Sequence, residues 1–512
     1  MLRERVRKLT HGLSFRVAVL SMASGMLASL CLPPFGVVPL IAFLSVPALK
    51  MASSPTMSVA ALHGGLAGFG WFLASSWWIS LSFVMGDTGH WPLLPLALIG
   101  LPALLALFWM PAAALAYRIG RNAPSRLVWF VFFLGLAEWA RGYVATGFPW
   151  NAPGYLFSAH ISLLQGASLV GLYGLTFLAL LVAIAPALWR AGMGRLALAA
   201  IIILPLIAGY GMIRLHRTMP TDVTEADMVH APHQVRLVQP AVPQHEKWRR
   251  DLRPDHLDRL RRLSRDQVPV PQLIIWPETA FAGLLDREAV LFKETVWSAL
   301  PFDGWMITGV PRFDETGRLF NSAALVRPSG EVEALYSKRR LVPFGEFVPF
   351  RSWLPFADAL AGPVDFSPAD ENVVFDLPGY GLIQVQICYE TIFPKMISRG
   401  PRPDILVNLT NDAWFGNTPG PWQHLAKARM RGVEEGITVI RVANTGVSAA
   451  FDGVGRTLAQ IDLNETGFVD VDLPEPMPPT LFARWRSGPV FLLILVLGVI
   501  AIRLDRKGAI GQ

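Results

Sequence analysis

Leu273-Ile274-Ile275-Trp276-Pro277-Glu278 reads as a short buried β-strand stopped by a proline, with a carboxylate set at its end. A second run, Gly381-Leu382-Ile383-Gln384-Val385-Gln386-Ile387-Cys388, ends the same way on a cysteine. Further strand-like runs lie at Gln234–Val242, Trp305–Val310, Asn321–Arg327, Asp404–Leu409 and Ile437–Ala443. Helical patterns alternate with them: Asp255–Arg265 repeats Leu257, Leu260 and Leu263, and Ala289–Leu300 and Trp422–Glu435 follow. Strands alternating with helices predict an α/β domain with helix-covered sheets over about residues 218–485.

The rest of the chain is of another kind. Of 512 residues, 52% are hydrophobic and 16% charged, where a soluble domain carries about 25% charged residues. Mean hydropathy is +0.40. Seven apolar runs, about 14–31, 36–51, 58–84, 91–117, 126–145, 162–189 and 195–213, precede the α/β segment, and an eighth, 488–504, follows it. Such runs are near the roughly 20 residues needed to cross about 30 Å of hydrocarbon. Seventeen Trp and thirty Phe suit a protein with two membrane interfaces.

Basic residues give the orientation. Arg3, Arg5, Arg7 and Lys8, then Lys50, then Arg118, Arg121 and Arg126, then Arg190 and Arg195, and finally Arg503, Arg506 and Lys507 share one side if every run crosses once. That side is the cytoplasm by the positive-inside rule. The expected organisation is a membrane domain with seven spans (1–217), an outward-facing α/β domain (218–485), and a last span with a cytoplasmic tail (486–512). These clusters also account for the net charge of +7, which excludes a nucleic-acid-binding reading. A cleaved lipoprotein signal is excluded because the large Leu30 precedes Cys31. Cys31 and Cys388 lie in unlike surroundings, so no disulfide is expected, nor is any metal or cofactor.

Three strand-end residues suggest chemistry. A thiol such as Cys388 is mostly protonated at neutral pH and needs a base. Glu278 is a candidate for that base, and Lys338 is a candidate for stabilising charge on a tetrahedral intermediate. Taken singly, each has an ordinary reading: a core cysteine, a solvated turn carboxylate, and a surface lysine beside Arg339 and Arg340. No histidine lies within ten residues of Cys388, which weighs against a Cys–His protease.

Together, however, Trp276-Pro277-Glu278-Thr279, Lys338 ahead of Leu341-Val342-Pro343-Phe344-Gly345-Glu346-Phe347-Val348-Pro349, and Cys388-Tyr389-Glu390 resemble the nitrilase superfamily. Asn408-Leu409-Thr410-Asn411-Asp412-Ala413-Trp414-Phe415-Gly416 extends the likeness. Glu138-Trp139-Ala140-Arg141-Gly142 and Thr146-Gly147-Phe148-Pro149-Trp150 look like its membrane-embedded apolipoprotein N-acyltransferase branch. The resemblance implies a multi-pass helical membrane domain joined to an αββα sandwich. It also implies that Glu278 is the general base, Lys338 the oxyanion-stabilising cation and Cys388 the nucleophile. Glu346, Tyr389, Glu390, Asn321 and Trp248 are implied as supporting residues. Gln239-Pro240-Ala241-Val242-Pro243-Gln244 departs from the family's usual Gln-x-Asn-x-Pro-Gln at Ala241.

The implied activity is N-acyl transfer at the bacterial inner membrane, the last step of lipoprotein maturation. A phospholipid, typically phosphatidylethanolamine, would give its sn-1 acyl chain to a cysteine thioester. The α-amine of an apolipoprotein's N-terminal diacylglyceryl-cysteine would then accept it. The alternatives are a membrane-anchored nitrilase-type amidase or hydrolase, in which water replaces the amine, and a lipid-binding scaffold without activity. The apolar segment 347–356 is expected either to dip into the membrane surface as a lid or to pack against helices. Glu138 and Arg141 are expected to pair within the bundle or to serve function.

Overall fold

The computed structural model describes residues 14–84, 93–218, 234–353, 364–397 and 400–510. Among these, the residues within 1–80, 93–217 and 479–512 form one compact unit and those within 81–92 and 218–478 another.

Among the described residues of the first unit each of the apolar runs is largely helical, although not every run is a single α-helix. Met57–Phe83, Leu96–Ile119, Gly194–Arg217 and Gly488–Arg506 are long and apolar enough to cross a membrane. Phe15–Ser29, Val38–Ala52 and Ala167–Ala183 are shorter apolar helices. Ala123–Arg141 starts at a capping box between Asn122 and Ser125. The expected run 162–189 is divided into Ile161–Leu164, Ala167–Ala183 and Ala185–Arg190. Leu206 is 66% exposed on one spanning helix and Phe491 66% exposed on another, faces that only an apolar solvent satisfies.

Small residues bring two of these helices into contact. A Cβ on Gly25 would lie 2.0 Å from the Ala67 carbonyl oxygen, and one on Gly70 would lie 2.0 Å from that of Met22. Phe15–Ser29 and Met57–Ser76 therefore meet backbone to backbone. Glu138 and Arg141 are both buried and paired with each other. Trp109 Nε1 donates to Glu138 at 2.8 Å, and Arg141 Nη1 donates to the carbonyls of Phe148 and Trp150. Every strong donor and acceptor of the pair is thus answered inside the bundle, and the turn after Arg141 is tied to it. At the other end of the unit, Asp505 accepts from the Arg121 amide at 2.8 Å and from Trp129 Nε1 at 3.0 Å, which fastens the last helix.

The second unit holds two six-stranded sheets. The first contains β1 (Gln234–Gln239), β2 (Leu273–Ile275), β3 (Trp305–Phe313), β4 (Leu319–Val326) and β5 (Val332–Ser337). The second contains β6 (Val374–Leu377), β7 (Gly381–Ile387), β8 (Ile405–Thr410), β9 (Thr438–Ala443), β10 (Ser448–Phe451) and β11 (Thr457–Ile461). The chain then returns to the first sheet as β12 (Gly467–Asp472), antiparallel to β1. The sheet orders are β12-β1-β2-β3-β4-β5 and β11-β10-β9-β8-β7-β6. In each, three parallel strands (β1, β2, β3 and β7, β8, β9) are flanked by antiparallel ones.

Val235, Leu237, Ile275 and Ile307 of the first sheet pack against Ile383, Val385, Val407 and Ile440 of the second, all fully buried. The outer faces are covered by helices. Leu257 and Leu260 of α1 (Arg253–Arg265) and Phe292 and Val296 of α2 (Ala289–Trp297) pack on Ile274 and Met306. Leu425 and Ala428 of α3 (Pro419–Glu435) pack on Leu406 and Val439. This is the expected αββα sandwich.

Some boundaries differ from expectation for local reasons. β1 stops at Gln239 because Pro240 cannot donate to the ladder. α3 begins earlier than expected, at Pro419, because the Thr418 hydroxyl caps it, and it ends where Gly436 takes a left-handed φ of 71°.

Candidate active site

The carboxyl ends of β2 and β7 and the end of β5 each deliver one of the three expected residues. After β2 the chain turns sharply, with Thr279 at a φ of 51°. The turn lies directly on β3: a Cβ on Gly309 would be 2.7 Å from Glu278 Cα and 2.3 Å from the Thr279 amide nitrogen. Only glycine allows that approach, which sets Glu278 into the interior at 7% exposure.

Lys338 follows β5 and is 1% exposed. Its Nζ donates to Glu346 Oε1 at 2.9 Å and lies 3.5 Å from Glu278 Oε1. Asn321 on β4 binds the same two carboxylates, donating from Nδ2 to Glu278 Oε1 at 2.8 Å and to Glu346 Oε1 at 2.9 Å. Glu346 Oε2 also accepts the Val342 amide at 2.9 Å, which closes the loop on itself. Burial opposes the charge on Lys338, but Glu346 and then Glu278 outweigh it and hold its pKa above the ordinary lysine range.

Cys388 ends β7 and begins a short 3-10 turn, at a φ of 50°. Burial, then the charge of Glu278, push the thiol up to about 12, against the opposing pull of Lys338. Cys388 therefore rests as a thiol, and a thiol needs a base to take its proton before it can attack. Next to it, Tyr389 packs edge-on against Phe393 with centroids 5.2 Å apart. Glu390 is fully buried and accepts from the amides of Ile387, Arg339 and Arg340 and from the Tyr336 hydroxyl. Burial raises its pKa despite those donors.

The structure therefore gathers Glu278, Lys338, Glu346 and Asn321 into one hydrogen-bonded cluster, to which Cys388 is coupled electrostatically. Trp248 is not part of it: it is 55% exposed, whereas its neighbour Lys247 is buried and donates to the Glu278 carbonyl at 3.0 Å.

Beneath Cys388 lies a polar layer that the sequence reading did not pick out. His424 Nε2 donates to the Cys388 carbonyl at 3.1 Å, and Asn408 Nδ2 lies 3.4 Å from the same oxygen. His424 Nδ1 lies 2.9 Å from Asp412 Oδ1, and Arg441 bonds both Asp412 and Asn408. Burial opposes the Asp412 charge, but Arg441 and His424 bring its pKa down to about 2. Burial and then Arg441 push the His424 pKa down to about 4, against the opposing pull of Asp412. Asn408 and Asp412 stand within the quoted Asn408–Gly416 stretch, but His424 is 36 residues beyond Cys388 and only α3 brings it back.

In the segment that follows Lys338, Phe344, Phe350 and Trp353 are 46%, 74% and 80% exposed, and Phe350 stacks on Trp353 at 5.6 Å. Phe350 and Trp353 belong to the 347–356 segment expected either as a lid or as packing against helices; residues 354–356 of it lie outside the described residues.

Comparison with known proteins adds a family. The carbon-nitrogen hydrolase family model matches residues 261–477, and that of the apolipoprotein N-acyltransferase N-terminal domain matches 24–185. An apolipoprotein N-acyltransferase of Rhizobium rhizogenes is 36% identical over 532 residues, covering 97% of this chain and 97% of its own. One of Rhodopseudomonas palustris is 35% identical over 528 residues, covering 96% of each. Among solved structures, an amidase from Nesterenkonia sp. aligns with 51% of this chain and 95% of its own at 20% identity, with a TM-score of 0.36.

Proposed function

The chain belongs to the apolipoprotein N-acyltransferase family and is an N-acyltransferase; from that premise we propose that it moves the sn-1 acyl chain of a phospholipid, through a thioester on Cys388, to the α-amine of a diacylglyceryl-cysteine at the N-terminus of an apolipoprotein. The observation that carries the reading is the pair of shared bonds from Lys338 and Asn321 to Glu278 and Glu346, beside a cysteine kept as a thiol.

Glu278 takes the Sγ proton as Sγ attacks the ester carbonyl carbon. Lys338 meets the oxyanion. The C–O bond breaks, the lysophospholipid alkoxide recovers the proton from Glu278, and a thioester remains. In the second half the acceptor amine attacks the thioester carbon and the C–S bond breaks. Glu346 and Asn321 hold Lys338 and Glu278 in place, and Tyr389 and Glu390 shape the turn that carries the nucleophile.

We read residues 1–217 and 486–512 as membrane parts with eight crossings in all, and residues 218–485 as a periplasmic catalytic domain. The basic loops support that orientation. Phosphatidylethanolamine is the donor this reading expects. The exposed Phe350–Trp353 stack supports contact of the 347–356 segment with lipid.

Mass spectrometry after incubation with phosphatidylethanolamine tests the proposal. A hydroxylamine-sensitive adduct of fatty-acyl mass on Cys388, missing from Cys388→Ala and discharged by a diacylated lipopeptide, is the expected result. Discharge by water alone would make the protein a hydrolase, and no adduct on folded, lipid-bound protein would end the acyl-transfer reading.

A further inference from the structure

Two lysines reach the site, and their surroundings differ. Lys338 Nζ stands between two carboxylates. Lys247 Nζ does not. The turn that carries it closes through the Glu246 and Lys247 amides on the Pro243 carbonyl, at 3.0 and 3.1 Å, and sends Lys247 inward while Trp248 stays 55% exposed. Lys247 is 5% exposed, and among the described residues the acceptor of its ammonium is the main-chain oxygen of Glu278 at 3.0 Å. An ammonium has three N–H bonds to satisfy, and an unpaired buried charge is costly. Burial therefore makes this ammonium give up its proton more readily than a surface lysine does.

The chemistry of the second half-reaction calls for such a group. An α-ammonium has three N–H bonds and the product amide keeps one, so two protons leave the nitrogen. One ends on Sγ of Cys388 when the C–S bond breaks. The other has no destination on the thiol, and Glu278 can carry only one proton at a time. The first half-reaction has no such surplus, because the proton taken from the thiol goes to the alkoxide.

We propose that Lys247 is a second base in the aminolysis half-reaction, accepting on Nζ the proton that the acceptor ammonium loses beyond the one returned to Cys388, and passing it to solvent. The inference rests on the acyl-transfer reading above. The titratable groups that act on Lys247 are Glu278, at the end of β2, and Cys388, at the end of β7. Burial draws the lysine down to about 8, with those two groups opposing it. Lys338 is held in the opposite direction. Two like residues whose environments push them apart divide into a fixed cation and a proton carrier.

The test uses full-length enzyme in phospholipid nanodiscs, loaded as the acyl-enzyme and then discharged. Two acceptors are compared: a diacylated lipopeptide, mostly ammonium at neutral pH with an α-amine near 8, and hydroxylamine, which is already neutral there and yields no surplus proton. Lys247→Gln is expected to slow discharge to the lipopeptide on the order of 100-fold, as loss of a general base does, and to slow discharge to hydroxylamine only a few-fold. Lys247→Arg keeps a cation that does not release its proton and is expected to be as slow with the lipopeptide. Equal losses on both acceptors, no loss on either, or recovery by Lys247→Arg would overturn the inference. Wild-type enzyme that forms no thioester, or passes no acyl chain to the lipopeptide, would instead overturn the proposed function.

Discussion

The Tyr336 hydroxyl lies 2.9 and 2.8 Å from the two carboxylate oxygens of Glu390. Tyr336 stands two residues before Lys338 and Glu390 two residues after Cys388, so this contact joins the strand that leads into Lys338 to the turn that carries Cys388. Glu390 also accepts the Arg339 amide at 2.7 Å on one oxygen and the Ile387 amide at 2.8 Å on the other. Both oxygens must accept, which only a carboxylate does. Glu390→Gln turns one acceptor into a donor facing a buried amide, and should cost about 1–3 kcal/mol in unfolding free energy. It should also lower the rate of acyl loading. Tyr336→Phe removes one donor and should cost about 1 kcal/mol. Equal stability of wild type and Glu390→Gln in thermal unfolding would show that the carboxylate does not bind the two segments.

Glu278 raises the Cys388 pKa by its charge and, in the proposed mechanism, removes the proton as well. These two effects separate in Glu278→Gln. Loss of the negative charge leaves the Lys338 cation less opposed, so the thiol should ionise at lower pH than the wild-type value of about 12. Alkylation of Cys388 by a neutral reagent, followed against pH, should therefore show its midpoint moving down. Acyl loading should nevertheless fall on the order of 100-fold, because the base is gone. A midpoint that stays or rises would mean that Glu278 does not act on the thiol.

Asp412 is fully buried with Arg441 and His424, and its pKa of about 2 is depressed against an ordinary value near 3.9. A depressed carboxylate contributes stability above its unfolded pKa and loses it as pH falls through the folded one. Stability should thus decline between about pH 4 and 2, by roughly 2 kcal/mol from this residue. Asp412→Asn should flatten that decline. At neutral pH it leaves Arg441 buried and less compensated, at a cost of about 3–5 kcal/mol. Unfolding free energy against pH for the two proteins checks both statements.

His424 Nε2 lies 3.1 Å from the Cys388 carbonyl oxygen, a contact that would make it a positioning residue. His424→Phe keeps the ring against Phe415 but has no donor for that oxygen. The left-handed turn at Cys388 should then relax, and loading should slow about 10-fold or more, while His424→Gln, which can still donate, should retain more activity. Equal loading by both variants would make the bond to the carbonyl irrelevant to the nucleophile.

The αββα sandwich was legible from residues such as Leu273–Ile275 and Ile383–Ile387, because central strands buried on both faces read as apolar runs. Strands β5, β6, β10, β11 and β12 were not: Thr457, Leu458 and Gln460 of β11 face solvent, and β6 and β10 are only four residues long and carry little signal. Glu278, Lys338 and Cys388 were legible because each stands at a strand end inside a distinctive local motif. Lys247 was hidden by the neighbouring Trp248. A tryptophan draws the eye in sequence, but the side-chain direction within a turn decides which of two adjacent residues enters the site. Asp412, His424 and Arg441 were hidden for a different reason: charged residues normally stay in water, and only the folded chain shows them answering one another.

The same rule governs Glu138 and Arg141, where the surrounding solvent is lipid. Glu138 accepts from Arg141 and from Trp109, and Arg141 in turn holds the Phe148 and Trp150 carbonyls. The pair therefore fixes the turn between two helices rather than standing free as a reactive group. Glu138→Gln should leave the guanidinium with too little compensation and cost about 3–5 kcal/mol. Replacing both residues by Leu should cost less per charge but release the 148–150 carbonyls. Trp109→Phe should cost about 1 kcal/mol. Thermal unfolding in nanodiscs ranks the three. If Glu138→Gln unfolds with the wild type but no longer discharges the acyl-enzyme, the pair serves the reaction and not the bundle.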